Sequence, residues 1–298
     1  MQNIINYVKE PNKIGLAILT HFMTWLPDAV YLRIMFRLRM GYDLNLRNPK
    51  TFNEKLQWLK LYNRREEYTN MVDKYEAKKV AEKILGKDYI IPALGVWNRF
   101  EDIDFSILPD QFVLKTTNGG GGGGVIICKN KSELDKSACA KHLKSSLCAS
   151  IYRNFKEWPY KDVVPRILAE RFMVDESGEL RDYKFYCFNG EPKVLLVASE
   201  RFSGHLTYFD YFDMDGNHLA FTQGGQNNPV SPSLPPNFDE MKQVARKLSQ
   251  GIPHVRVDLY SVDGKVYFGE YTFFDSSGLE KFTPEIWDEI FGKWLVLP

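Results

Sequence analysis

The chain of 298 residues is poor in the features that most quickly assign a class. It has four cysteines, Cys128, Cys139, Cys148 and Cys187, and no C-x-x-C pair. The spacing of Cys139, His142 and Cys148 fits no common zinc site, so reduced, buried thiols are expected. An excess of one charge is also missing, since 39 Lys and Arg stand against 38 Asp and Glu. That balance argues against nucleic acid or another polyanion as partner. No apolar run reaches membrane-spanning length, because His21, Pro27, Asp28 and Arg33 interrupt residues 14–36. With Lys9, Lys13, Arg33, Arg37 and Arg39 nearby, this stretch reads as a helix pair packed on its own domain. The alternative is an anionic membrane surface as its partner. Residues 1–13 show no basic start, apolar run and small-residue cleavage site. The expected location is therefore cytoplasmic, with residues 14–36 a candidate contact for the inner face of the membrane. No internal repeat is visible.

What the chain does have is concentrated in residues 255–274. Two runs rich in Val, Tyr and Phe flank Asp263-Gly264, a β-hairpin signal. Arg256, Asp258 and Tyr260 share one face of the first strand, and Glu270 and Thr272 share one face of the second. A two-residue turn at 263–264 would put Asp258 and Glu270 on opposite sides of the ribbon. A three-residue loop at 262–264 instead pairs Ser261 with Lys265, sets Arg256 opposite Glu270 and leaves Asp258 diagonal to it. Two carboxylates and an arginine among apolar strands are costly without partners. A divalent cation with phosphate oxygens would supply them, as would simple Arg–carboxylate pairing on a solvated face.

The second unusual stretch is Gly119 to Gly124, six consecutive glycines between β-rich segments. Glycine loses the most backbone entropy on folding, so such a run suits backbone that must approach a ligand, N–H groups toward anionic oxygens. No helix signal follows it, which disfavours the dinucleotide-binding and P-loop readings. A strand at 111–115 ending in Lys115 and leading into this turn is the layout of a phosphate lid; a floppy hairpin tip is the plainer reading.

Elsewhere the periodicities are ordinary. Thr51 and Glu54 have capping-box spacing ahead of a helical stripe of Phe52, Leu56, Leu59 and Tyr62. A second helix is expected over residues 73–85, and Lys74 in its first turn opposes the helix dipole, which suggests another use. Helices are also expected at 132–150 and 238–250, strands at 89–97 and 167–173, and a second hairpin about Asn189-Gly190. In that hairpin Asp182, Lys184 and Tyr186 share a face. Asp213-Met-Asp-Gly reads as a turn, although D-x-D is also a glycosyltransferase pattern. Residues 221–238 form a candidate substrate or lid loop, and 291–298 an apolar tail docked on the core.

Taken together, Asp73-Lys74, Lys115 with its glycine turn, Glu170-Arg171-Phe172, Arg256-x-Asp258 and Glu270-x-Thr272 resemble the ATP-grasp superfamily. Residues 48–61, Asp182-Tyr-Lys-Phe-Tyr-Cys-Phe-Asn-Gly and Arg256-Val-Asp-Leu-Tyr resemble its TupA-like, teichuronopeptide-biosynthesis type. The resemblance covers the chain from about residue 26. It implies an α+β ATP-grasp fold in which two lobes with antiparallel sheets grip ATP. A helical region (1–88) would precede a small lobe with the lid (89–166) and a large lobe with the metal site (167–298). It implies that Lys74 and Lys115 hold ATP phosphates beneath a lid including Gly119, Gly120, Gly121 and Gly122. Glu170, Arg171, Phe172 and Met173 would form the adenine hinge, and Glu176 or Glu179 would contact ribose. Lys184 would face the phosphates, Asp258 and Glu270 would hold Mg2+, and Arg256 would stabilise the reacting species. Thr272 stands where the superfamily usually has Asn, so a second metal or its usual geometry is an open point. The implied reaction joins a carboxylate to an amine at the expense of ATP, on a uronic acid of a surface polysaccharide or its precursor. A sugar kinase using Asp182 or Asp210 as base, and a glycosyltransferase resting on Asp213 and Asp215, are the alternatives.

Overall fold

The computed structural model describes residues 11–120, 123–176, 178, 180–199 and 207–298. Gly121, Gly122 and Glu179, each expected in the site, lie outside the described residues. Helices α1 (Pro11–Phe22) and α2 (Asp28–Met40) open the chain and pack their apolar faces together. Next come α3 (Phe52–Tyr62), α4 (Glu67–Val72) and α5 (Glu76–Leu85). The expected capping box is present in full. The Thr51 hydroxyl accepts from the Glu54 amide, and the Glu54 carboxylate accepts from the Thr51 amide. The second helix starts later than its periodicity suggests. Asp73 Oδ1 accepts from the amides of Tyr75 and Glu76, which leaves Lys74 in the preceding turn rather than in the helix.

A four-stranded antiparallel sheet follows, built from β1 (Ala93–Trp97), β2 (Phe112–Thr116), β3 (Val125–Cys128) and β4 (Ile167–Arg171). Its spatial order is β1-β4-β2-β3. Between β3 and β4 lie α6 (Lys136–Leu147) and the short α7 (Ile151–Phe155). The remaining strands are β5 (Asp182–Phe188), β6 (Glu191–Ser199), β7 (Tyr208–Phe212), β8 (His218–Leu219) and β9 (Thr222–Gln223). After α8 (Phe238–Ser249) come β10 (His254–Val262), β11 (Lys265–Thr272), β12 (Phe282–Thr283) and α9 (Ile286–Trp294). The second sheet has the order β11-β10-β5-β6-β7-β8, so the two long hairpins lie side by side through β10 and β5. The fold is α+β with antiparallel sheets. Its main core joins this six-stranded sheet to α3, α4, α5, α8 and α9, whereas β1–β4 and α6 enclose a separate cluster. Residues 291–298 were expected only as a docked tail; their first part is helix, and Phe291 and Leu295 are fully buried.

The hairpin of β10 and β11 corrects the expected register. Its turn is the two residues Asp263 and Gly264, both with positive φ (50° and 72°), so Val262 pairs with Lys265. A bulge then restores the common face. Asp258 pairs with Glu270 and Leu259 with Phe268, so Gly269 is the extra residue. Arg256 consequently stands opposite Thr272, not Glu270. Gly269 permits this because a Cβ there would lie 2.9 Å from the Asp258 carbonyl oxygen and 3.0 Å from the Tyr260 ring. The second hairpin behaves as expected, with Asn189 and Gly190 at φ 51° and 85°.

Candidate functional site

The bulge sets the two carboxylates face to face, and each is already matched by a cation. Asp258 accepts from Arg256 Nε (2.8 Å) and Nη2 (2.9 Å), and from Lys184 Nζ. Lys184 reaches it because β5 pairs Lys184 directly with Asp258. Glu270 accepts from Lys74 Nζ across 196 residues of chain. Burial raises the pKa of Glu270, but the positive charges of Lys74, Lys184 and Arg256 outweigh it and hold the group well below the usual carboxylate range. Thr272 spends its hydroxyl as an acceptor from Arg256 Nη2 at 3.1 Å.

Arg256 is further clamped by Asp275, whose second oxygen accepts from the Tyr186 hydroxyl at 2.9 Å. After Asp275 the backbone turns through Ser276, Ser277 and Gly278, all with positive φ. Helix α3 holds that turn. Lys60 Nζ donates to the Ser277 carbonyl and hydroxyl, both at 2.8 Å, and to Gln57 Oε1 at 3.1 Å. Gln57 Nε2 donates to the carbonyls of Ser277 (3.0 Å) and Gly278 (2.8 Å). Asp275, Gln57 and Lys60 were missed from sequence. A signal existed, since Asn53, Gln57 and Lys60 recur at helical spacing beside the apolar stripe, but such a stripe ordinarily reads as a solvated face. Here all three are buried.

On the four-stranded sheet, Lys115 of β2 donates to Glu170 of β4 at 2.6 Å, and Lys78 of α5 meets the other oxygen at 2.6 Å. Burial would raise the Glu170 pKa, yet Lys115 and Lys78 hold it at about 2. Lys78 was also missed, being indistinguishable in sequence from an exposed helix lysine. The Glu170 side chain thus positions two lysines, and its backbone lies in β4 between β1 and β2. Arg171 is exposed, its amide donating to the Pro92 carbonyl; Phe172 and Met173 follow, half-buried. Glu176 is 83% exposed in its side chain and paired with Arg181 at 3.2 Å.

The glycine turn rises from the same sheet. Thr116 donates its amide to the Gly124 carbonyl at 2.9 Å, and a Cβ at Gly119 or Gly124 would collide with the Thr116 hydroxyl. The two arms of the turn therefore close over Thr116 only because they are glycine. Gly120 rests near Ile151. The Lys74 amide donates to the Thr117 carbonyl at 3.1 Å, so the base of the turn is tied to the residue that meets Glu270. Tyr160 adjoins this region, its hydroxyl pushed far up by burial and by the negative Glu157 and Glu270.

The acids behind the alternative readings are otherwise engaged. Asp213 Oδ1 accepts from the amides of Asp215 and Asn217 (2.9 and 2.8 Å), closing a turn. Asp210 is fully buried against His218 at 3.1 Å and the Asn228 amide. Asp182 lies beside Lys184 at 3.7 Å. Among the described residues, no three His, Cys, Asp or Glu side chains form a cluster able to hold a metal alone.

A family model described as TupA-like ATPgrasp matches residues 54–296. No curated protein matches the chain. Solved structures similar to it include a D-alanine–D-alanine ligase from Helicobacter pylori, at 15% identity and TM-score 0.46, covering 84% of this chain and 68% of that one. An ADP complex of N5-carboxyaminoimidazole ribonucleotide synthetase gives 15% identity and TM-score 0.46, covering 81% of this chain and 56% of that one. The ATP complex of a D-alanine–D-alanine ligase from Bacillus anthracis gives 14% identity and TM-score 0.39, covering 68% of this chain. This chain spans 53% of that ligase's length.

Proposed function

The chain belongs to the TupA-like ATP-grasp family, and from that premise we propose that it is an ATP- and Mg2+-dependent ligase that joins a carboxylate to an amine. The acid we assign is a uronic acid of a cell-surface polysaccharide or its precursor. The observation that carries the reading is the pairing of Asp258 with Glu270 across β10 and β11, with Lys184 and Lys74 at the two carboxylates.

The donor set fits Mg2+. Two hard carboxylate groups, with no three-acid cluster among the described residues, suit an ion usually held by one or two carboxylates and substrate phosphates. Asp258 and Glu270 would hold it, and when bound it supplies charge neutralisation on the phosphate oxygens. Lys74 and Lys184, which neutralise those carboxylates here, would be the cations placed to meet phosphate oxygens. Lys115, held by Glu170 on the facing sheet, adds a third cation. Arg256, with Nε and both Nη2 hydrogens taken by Asp258 and Thr272 and one Nη1 hydrogen by Asp275, is held rigidly and would offer its charge and the remaining Nη1 hydrogen to negative charge on the reacting acid. The chemistry needs no protein nucleophile. A substrate carboxylate oxygen attacks the γ-phosphorus, the bond to ADP breaks, and an acyl phosphate forms. The amine nitrogen then attacks the carbonyl carbon, phosphate leaves, and the nitrogen loses a proton. The glycine turn would keep water from the acyl phosphate by closing over it.

The test is mass spectrometry of products from a panel of uronic acids and amines supplied with Mg2+ and ATP. An amide product, with sustained ADP release over many turnovers that requires both the acid and the amine, is expected. A sugar phosphorylated on a hydroxyl rather than on its carboxylate, formed without amine, would overturn the ligase in favour of a kinase.

A further inference from the structure

We propose that the exposed face of α1 and the turn after it dock on an anionic phospholipid surface. Ile14, Ile18 and Phe22 follow one another at four-residue spacing and are 38%, 47% and 75% exposed. Leu16, Leu19 and Met23 fall on the opposite arc and pack against α2, so the outer arc faces away from the protein. Trp25 continues that arc at 76% exposure. Its indole N–H donates to the Phe22 carbonyl at 3.0 Å, which satisfies the polar end of the ring while leaving its face outward. Large aromatic rings held in this way suit the boundary between headgroups and acyl chains, where one side must be apolar and polar groups already paired.

Charge selects the occupant. Within residues 11–40 the bases Lys13, Arg33, Arg37 and Arg39 outnumber the single acid Asp28, with Arg37 paired to the exposed Asp43 at 3.3 Å. Asp28 is itself engaged by Arg64 at 2.7 Å and by the Tyr152 hydroxyl. Arg153 of α7 adds a further exposed cation at the rim, its Nε donating to the Thr24 hydroxyl at 3.2 Å. An apolar arc with cations about it and its one acid neutralised is complementary to anionic headgroups, which a basic patch attracts. No helix among the described residues is long and apolar enough to cross a membrane, so the contact is peripheral. This inference is independent of the ligase reading, because it can be measured without turnover.

The experiment is flotation of the full chain with phosphatidylcholine vesicles, neutral or containing about one third phosphatidylglycerol. Binding to the anionic vesicles is expected, weaker on neutral ones and weakened by salt. Phe22→Ser with Trp25→Ser should lower partitioning by about tenfold or more, and Arg153→Glu should cut it by about fivefold or more. Neither variant should move the thermal midpoint. Failure to float with anionic vesicles, or flotation unchanged in both variants, overturns the proposal. So does a concentration-dependent dimer that the Phe22/Trp25 variant abolishes, since a second copy would then be what covers the arc.

Discussion

Asp258 and Glu270 are unequal partners at the residue scale. Arg256 and Lys184 both bind Asp258, whereas Lys74 binds Glu270, so the proposed cation would meet a different set of neighbours at each. Glu170, itself buried, has another task, holding Lys115 and Lys78 together in a triad. Removing its charge leaves the buried Lys78 and the half-buried Lys115 ammonium groups without their counter-ion. Glu170→Gln should therefore destabilise the fold by roughly 3–5 kcal/mol in chemical denaturation. Its folded pKa, about 2, lies below the ordinary 4.5. The stabilisation is thus complete above pH 4.5 and is lost as pH falls toward 2. His254 acts in a different window. Burial takes it from 6.5 to about 3, and Nδ1 must carry the proton because it faces the Cys187 carbonyl at 2.9 Å. Between those values the unfolded chain binds a proton that the native state does not, so stability falls with falling pH. The slope from this one group approaches ~1.4 kcal/mol per pH unit. Denaturation midpoints of His254→Gln followed from pH 6.5 to 4.5 should show a shallower fall than the parent. An equal slope would mean that His254 is protonated in the folded state.

The hairpin of β10 and β11 decides the site at the scale of elements. Its turn glycine and its bulge glycine have separable roles. Gly264, at φ 72° with open space about it, should cost about 1 kcal/mol as Ala and leave activity intact. Gly269→Ala meets the Asp258 carbonyl and must shift the strand that carries Glu270, so turnover should drop by at least ~100-fold. Comparable activity in the two variants would remove the bulge from the account. Helix α3 is the second element in play. Lys60→Met keeps the apolar stem but drops three hydrogen bonds to Gln57 and the Ser277 turn. Its kcat should fall through loss of Asp275 as the clamp on Arg256, with raised KM for the acid rather than for ATP. These elements also mark how much was legible in advance. Strand identity, both turns and the capping box follow from local chemistry, and local chemistry is written in adjacent residues. The register at Glu270 was not legible, because Gly269 has an ordinary φ and its bulge is imposed by the neighbouring strand. Lys60 and Gln57 were hidden for a related reason: burial of a polar stripe depends on a partner more than 200 residues away.

The whole molecule brings Lys74 and Lys184 from distant parts of the chain to the two facing acids, and sets Lys115 on Glu170. Lys74 precedes α5, Lys115 ends a strand of one sheet, and Lys184 lies in the other. Single motifs announced these residues, and the resemblance ordered them. Their contacts, Lys74 to Glu270 and Lys184 to Asp258, come only from the packing of α5 and β5 against the hairpin. The proposed amine and acid leave no such trace in any run of residues. The most direct test of the central claim is calorimetric titration of ATP, with and without Mg2+, into the parent chain and Glu270→Gln. The account predicts that Mg2+ tightens ATP binding to the parent by at least ~10-fold and that Glu270→Gln loses most of that gain. The same Mg2+ dependence in both proteins would contradict it.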